Sequence, residues 1–127
     1  MIQQLIFQDF ELLISLILER TGWLRPSRPS RVGGPEEGME FQVENCAVDE
    51  RVLVQVKKSA TQSILNVSAE GFRGAPKYAR LIFAFQSTPD VLVCPEVPRP
   101  IHVWDCDRLA HLVSQLGLGE WVEKKLV

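Results

Sequence analysis

The sequence predicts an α/β protein with a central mixed sheet of four to five strands flanked by helices. Three observations predict it. Residues 51–59 alternate with the period of a strand, placing Val52, Val54 and Val56 on one face and Leu53, Gln55 and Lys57 on the other. Residues 81–85 are apolar on both faces, the mark of a central, fully covered strand. Helical spacings stand before, between and after these strands, so the order is helix, two or three strands, helix, strand, strand, helix.

The first element is a helix over residues 3–21. Ile6, Phe10, Leu13, Ile14 and Ile17 follow one helical face, while Gln4, Gln8, Glu11, Ser15 and Glu19 fall on the other. Gly22 stops it, with Arg20 in the last turn and Pro26 beyond. Trp23 and Leu24 are expected to fold back onto the core. Residues 25–38 are rich in Pro, Ser, Gly and Arg and are expected to form a flexible loop. Two readings stand for it: a solvated linker, or a basic arm in which Arg25, Arg28 and Arg31 reach phosphates.

After a Gly-Pro turn, Glu40, Gln42 and Glu44 alternate with Phe41 and Val43, a strand with one polar face. Residues 45–50 join it to the valine strand as a hairpin. A weak helix follows over 60–73, with Ile64, Leu65, Val67 and Phe72 as its apolar side and Asn66, Ser68 and Gly71 as poor formers. Gly74, Ala75 and Pro76 break it. Residues 87–100, with Pro89, Pro95, Pro98 and Pro100, read mostly as loop. A short strand at 101–104 precedes a helix capped by Asp105 or Asp107 and carrying Leu109, Leu112, Val113 and Leu116. A terminal helix at 120–126 turns Trp121 and Leu126 inward.

Bulk properties set the bounds. A chain of 127 residues is expected to form one domain, 1–127, with a real core. Apolar residues at 46% and charged residues at 24% are ordinary for a globular chain. A net charge of −2 lacks the basic excess that would by itself point to nucleic acid. Cys46, Cys94 and Cys106 are widely spaced with no CxxC pair, which supports neither a zinc knuckle nor a disulfide framework and fits a reduced, cytoplasmic protein. The first basic residue is Arg20, unlike the basic start of a signal peptide. The apolar run 12–18 is broken by Ser15 and falls short of the ~20 residues that span a bilayer, so no membrane partner is expected. Neither His102 nor His111 shows ligand spacing, and no nucleophile triad or phosphate-cradling loop is present.

The chemistry concentrates on the hairpin. Strands in a hairpin lie roughly 5 Å apart, so the Glu40 carboxylate, the Gln55 carbonyl and the Lys57 ammonium are expected to converge. Two oxygens beside a lysine form a set able to hold a magnesium ion and handle a water next to a phosphate. The alternative is that Gln55 and Lys57 are edge-strand polar residues that block aggregation. Glu44, on the same strand face as Glu40, is either a substitute carboxylate or a solvated strand end.

With these residues in place, the chain resembles the Mrr-like branch of the restriction-endonuclease-like, PD-(D/E)xK, nucleases. Asp9-Phe10-Glu11-Leu12-Leu13 followed by Gly22-Trp23 is similar to the first-helix motif. Gly38-Met39-Glu40-Phe41 stands where the family has glycine, an apolar residue and the metal-binding aspartate. Val54-Gln55-Val56-Lys57-Lys58 looks like the Q-x-K form of the signature, and residues 101–112 resemble the closing strand, aspartate and helix. Together these span nearly the whole chain.

The resemblance implies a restriction-endonuclease-like fold and hydrolysis of a DNA phosphodiester with Mg2+ or Mn2+, within a restriction or defence system. Glu40 would be the carboxylate ligand and Gln55 a neutral ligand or water positioner. The Val56 carbonyl would complete the metal shell, and Lys57 would orient water or stabilise negative charge. Glu11 would reach in from the first helix, against a simpler reading as a solvated residue. Apart from the resemblance, Lys58, Arg73, Lys77 and Arg80 either line a phosphate-binding face or simply keep the surface wet, and Lys58, Arg28, Arg31 and Arg73 are the candidate contacts to double-stranded DNA. A homodimer, and another subunit supplying specificity, follow by analogy alone. Two departures stand out: Glu40 is one methylene longer than the family's aspartate, and Gln55 removes a charge from the ion's shell. A second class of function keeps the fold as a DNA-binding or protein-binding module without catalysis.

Overall fold

The computed structural model describes residues 2–24, 30–31 and 38–127, with only the backbone of residues 30–31. Residues 25–29 and 32–37, and with them Arg25 and Arg28, lie outside the described residues; so does the side chain of Arg31. The described chain opens with a 3-10 turn at Ile2–Gln4 and helix α1 at Phe7–Arg20. Strands β1 (Ser30–Arg31), β2 (Gly38–Asn45) and β3 (Glu50–Ser59) follow, then α2 (Gln62–Arg73), β4 (Arg80–Ser87) and β5 (Ile101–Trp104). Helices α3 (Cys106–Gln115) and α4 (Gly119–Lys125) end the chain.

The five strands form one mixed sheet in the order β1-β2-β3-β4-β5. Strands β1, β2 and β3 pair antiparallel in succession, while β3, β4 and β5 are parallel to one another. The expected hairpin is present: β2 pairs with β3 from Gly38↔Lys57 to Asn45↔Glu50, and Asp49 takes the turn's positive φ of 51°. Strand β1 was not anticipated. Two residues of the stretch read as loop pair with Glu40 and Met39, and a pairing that short carries no periodic signal.

The two faces of the sheet bury different residues, as strand alternation requires. Val52, Val54 and Val56 join Met39, Phe41, Val43, Ile82 and Ala84 under α1, α3 and α4. Leu53, Leu81, Phe83 and Phe85 join Leu65 and Phe72 of α2, with Leu92 and Val97 of the proline-rich crossover packed alongside. Each large apolar side chain so buried contributes about 1.5–3 kcal/mol.

Several expectations need correction. Ile6 caps α1 and is 64% exposed, whereas Glu11 is only 5% exposed. The buried arc of the helix is wider than the spacing predicted, and Glu11 falls on the ridge Phe7, Glu11, Ile14, Leu18. Trp23 packs against the core, but Leu24 is exposed and only its backbone pairs, with Glu44. Val67 of α2 points outward, and the helix's buried stripe is instead Leu65, Ser68, Ala69 and Phe72. Asp105, not Asp107, caps α3, accepting from the Arg108 amide at 2.8 Å. Among the described residues, no helix is long and apolar enough to cross a membrane.

Candidate functional site

The hairpin register sets the site. Glu40 lies directly across from Gln55, and Gly38 directly across from Lys57. All four positions share the sheet face that α2 covers, because the alternate residues Met39, Phe41, Val54 and Val56 are buried on the other. Glu40, Gln55 and Lys57 are all half-buried, at the margin of that face.

The side chains meet as well as the backbones. Gln55 Nε2 donates to Glu40 Oε1 at 2.8 Å. Gln55 Oε1 accepts a hydrogen bond from the hydroxyl of Ser68, which reaches across from α2 and is itself 5% exposed. Lys57 lays its stem over the empty side of Gly38. A Cβ on residue 38 would stand 2.9 Å from Lys57 Cδ and 3.4 Å from its Nζ. The Val56 carbonyl oxygen would stand 2.6 Å from the same point. Glycine at 38 therefore leaves room for the lysine stem beside the Val56 carbonyl. No hydrogen bond or ion pair joins Lys57 to another of the described residues.

These groups bear on a divalent cation as follows. Glu40 supplies one carboxylate, and the Val56 carbonyl oxygen lies close against Gly38. Among the described residues no group of three or more His, Cys, Asp or Glu could hold a metal. One carboxylate with a carbonyl suits only the mode in which the ion keeps waters and takes further oxygens from substrate phosphates. As it stands, Gln55 turns its NH2 and not its oxygen toward Glu40, so its carbonyl would join only after the amide reverses.

Other expected residues lie apart. Glu11 is buried on α1, which packs on the valine face of the sheet, opposite the face that carries Glu40 and Gln55, and it is not without a partner. Glu44 pairs with Arg51 at 3.4 Å and accepts from Gln42 at 3.2 Å. Lys58 is exposed next to Lys57 and also has a partner. Arg73 sits at the far end of α2, 3.6 Å from Glu70, and donates to the Glu96 carbonyl at 3.0 Å. Lys77 lies over the Tyr78 ring, and Arg80 is bonded to Glu50 at 2.8 Å. Arg73, Lys77 and Arg80 thus do not join Lys57 and Lys58 in one basic face. Arg28 lies outside the described residues, and of Arg31 only the backbone is described.

Sequence reasoning missed Ser68, which it took only as a poor helix former. The spacing Leu65, Ser68, Ala69, Phe72 was the available signal: a hydroxyl inside a buried stripe needs a partner.

No family model matches the chain, and no curated protein does. Among solved structures, EndoMS in apo form is similar at 13% identity and a TM-score of 0.42, covering 84% of this chain. The chain spans 42% of the length of that one.

Proposed function

We propose that the protein is a metal-dependent DNA nuclease whose centre is Glu40, Gln55, Lys57 and the Val56 carbonyl. One observation carries the reading: Glu40 and Gln55 are joined across the hairpin at 2.8 Å, with Lys57 two residues on along the same face and its stem against Gly38. The strand and helix order, with β2 and β3 antiparallel and β3, β4 and β5 parallel, fits the restriction-endonuclease-like fold implied by the resemblance.

Mg2+ or Mn2+, when bound there, would polarise the phosphodiester and acidify a bound water. The chain's own groups do the rest. Glu40 would fix the ion with its carboxylate and set the position of the scissile phosphate. Lys57 would place its ammonium against charge developing on the phosphoryl oxygens, a role for which a half-buried cation is well suited. Lys58, exposed beside it, would contact the DNA backbone. Action on duplex DNA, a homodimeric state and a further subunit for sequence recognition belong to the same reading.

The test is cleavage of supercoiled plasmid with Mg2+ or Mn2+. Wild type is expected to nick or linearise it, and Lys57→Ala to lower the rate by about 10²–10³-fold with its thermal unfolding unchanged. Absence of nicking by the wild type with either metal would overturn the reading. The single carboxylate favours one second reading, a nuclease-fold module that binds DNA without cutting it. That module would bind duplex DNA in a salt-sensitive way, equally in wild type and Lys57→Ala.

A further inference from the structure

We propose that Ser68 is a positioning residue that holds the Gln55 amide in one of two orientations, and that a divalent cation bound at Glu40 reverses it. The inference rests on the metal-site reading above and deepens it. It starts from the hydrogen-bond chain Ser68–Gln55–Glu40, in which the hydroxyl donates to Gln55 Oε1 and Gln55 Nε2 donates to Glu40 Oε1.

Carboxylate chemistry fixes this direction. A carboxylate accepts and does not donate, so it draws the amide's NH2 toward itself and leaves the amide oxygen facing α2. That oxygen needs a donor, and Ser68 provides it. A cation on Glu40 inverts the demand. The NH2 dipole then points its positive end at the ion, while the amide oxygen becomes the preferred neighbour. Turning the amide about its last torsion exchanges the two ends with no movement of the strand.

The residue at 68 decides whether both orientations are satisfied. A hydroxyl both donates and accepts. It donates to Oε1 in the arrangement observed, and would accept from Nε2 once the amide turned. Alanine at 68 could do neither, and threonine could do both. With Ser68 5% exposed, water is poorly placed to substitute. Reversal without the cation would set the amide oxygen against the Glu40 carboxylate, so the orientation observed and the cation-bound one exclude each other.

The experiment uses the full chain and Mn2+ or Mg2+ alone as the probe. Mn2+ affinity is measured by calorimetry and electron paramagnetic resonance for wild type, Ser68→Ala and Ser68→Thr. Side-chain amide 15N resonances are followed during Mg2+ titration, with Gln55 assigned by its loss in Gln55→Glu. Expected is a roughly 10–100-fold weaker affinity in Ser68→Ala, the range for partners that orient metal ligands, with Ser68→Thr within about threefold of wild type. The Gln55 amide signals of wild type should shift on titration. Thermal unfolding confirms that each variant is folded; if Ser68→Ala is not, the Gln55 shift in wild type and Ser68→Thr decides. Mn2+ binding and DNA cleavage with unmoved Gln55 signals, or with Ser68→Ala equal to wild type, would overturn the relay and leave the nuclease reading standing. Absence of Mn2+ binding to wild type would overturn the relay, whereas the nuclease reading falls only if plasmid is not nicked with either metal.

Discussion

A methyl group on residue 38 has nowhere to go. Its carbon would lie 2.6 Å from a backbone oxygen, that of Val56, which cannot swing aside as a side chain can. It would also strike the Lys57 stem at 2.9 Å. Gly38→Ala is therefore expected to cost about 1–3 kcal/mol, the usual cost of overpacking, read by urea denaturation. It should also displace Lys57, so a nuclease would lose activity beyond what lost stability explains. An alanine variant with wild-type stability would mean that the hairpin yields more readily than this contact implies. The sequence already marked position 38 through the glycine of its motif, and Glu40, Gln55 and Lys57 through strand period. The seat of the lysine on the glycine stayed hidden, because it depends on register. The reversed burial of Glu11 stayed hidden too: helical spacing assigns a face, and only tertiary contacts say how wide the buried arc is.

At the scale of elements, both ends of α2 are held by specific hydrogen bonds, one set local and one distant in sequence. Its N-terminus is capped locally, the Thr61 hydroxyl accepting from the Ile64 amide at 3.2 Å. Its C-terminus is held by Arg99, whose Nη2 donates to the Phe72 carbonyl at 2.6 Å and to that of Arg73 at 3.3 Å. The other end of the guanidinium donates to the carbonyls of Ala75 and Tyr78 and stacks 4.2 Å from the Phe72 ring centroid. A cation at a helix C-terminus also complements the helix dipole. Arg99→Ala should lower unfolding free energy by about 2–3 kcal/mol, as expected for bonds to a charged donor, while sparing the Gln55–Glu40 contact. Chemical denaturation together with Mn2+ affinity checks both halves; a loss under half a kcal/mol, roughly the level of an ordinary surface substitution, would show that water replaces the guanidinium. The boundaries of α2 were legible from Gly74 and Pro76, and its existence from Leu65 and Phe72. The arginine was not, because its partners are carbonyls, which every residue has.

At the scale of the whole molecule, the sheet separates two electrostatic regions. The Glu40, Gln55 and Lys57 set lies toward the end of β3, whereas Arg80 and Glu50 join the starts of β4 and β3 at 2.8 Å. His102 stands on β5 across from Ile82, near that second region. The residue is exposed, yet partial desolvation lowers its pKa first, with the charges of Arg80 and then Arg108 lowering it further from the ordinary 6.5. The sign follows from proton linkage. Between the depressed folded value and 6.5, the unfolded chain holds the proton and the folded chain does not. The contribution of His102 to stability is thus full above 6.5 and is lost as pH falls through the folded value. Urea midpoints from pH 8 down to 5 should decline on the acid side in wild type and less in His102→Asn. Glu50→Gln should steepen the decline, since it leaves the Arg80 charge unopposed near the imidazole. Equal acid slopes in all three proteins would assign the decline to carboxylates elsewhere. Mn2+ affinity in His102→Asn should match wild type, because the imidazole and the hairpin site occupy different parts of the sheet.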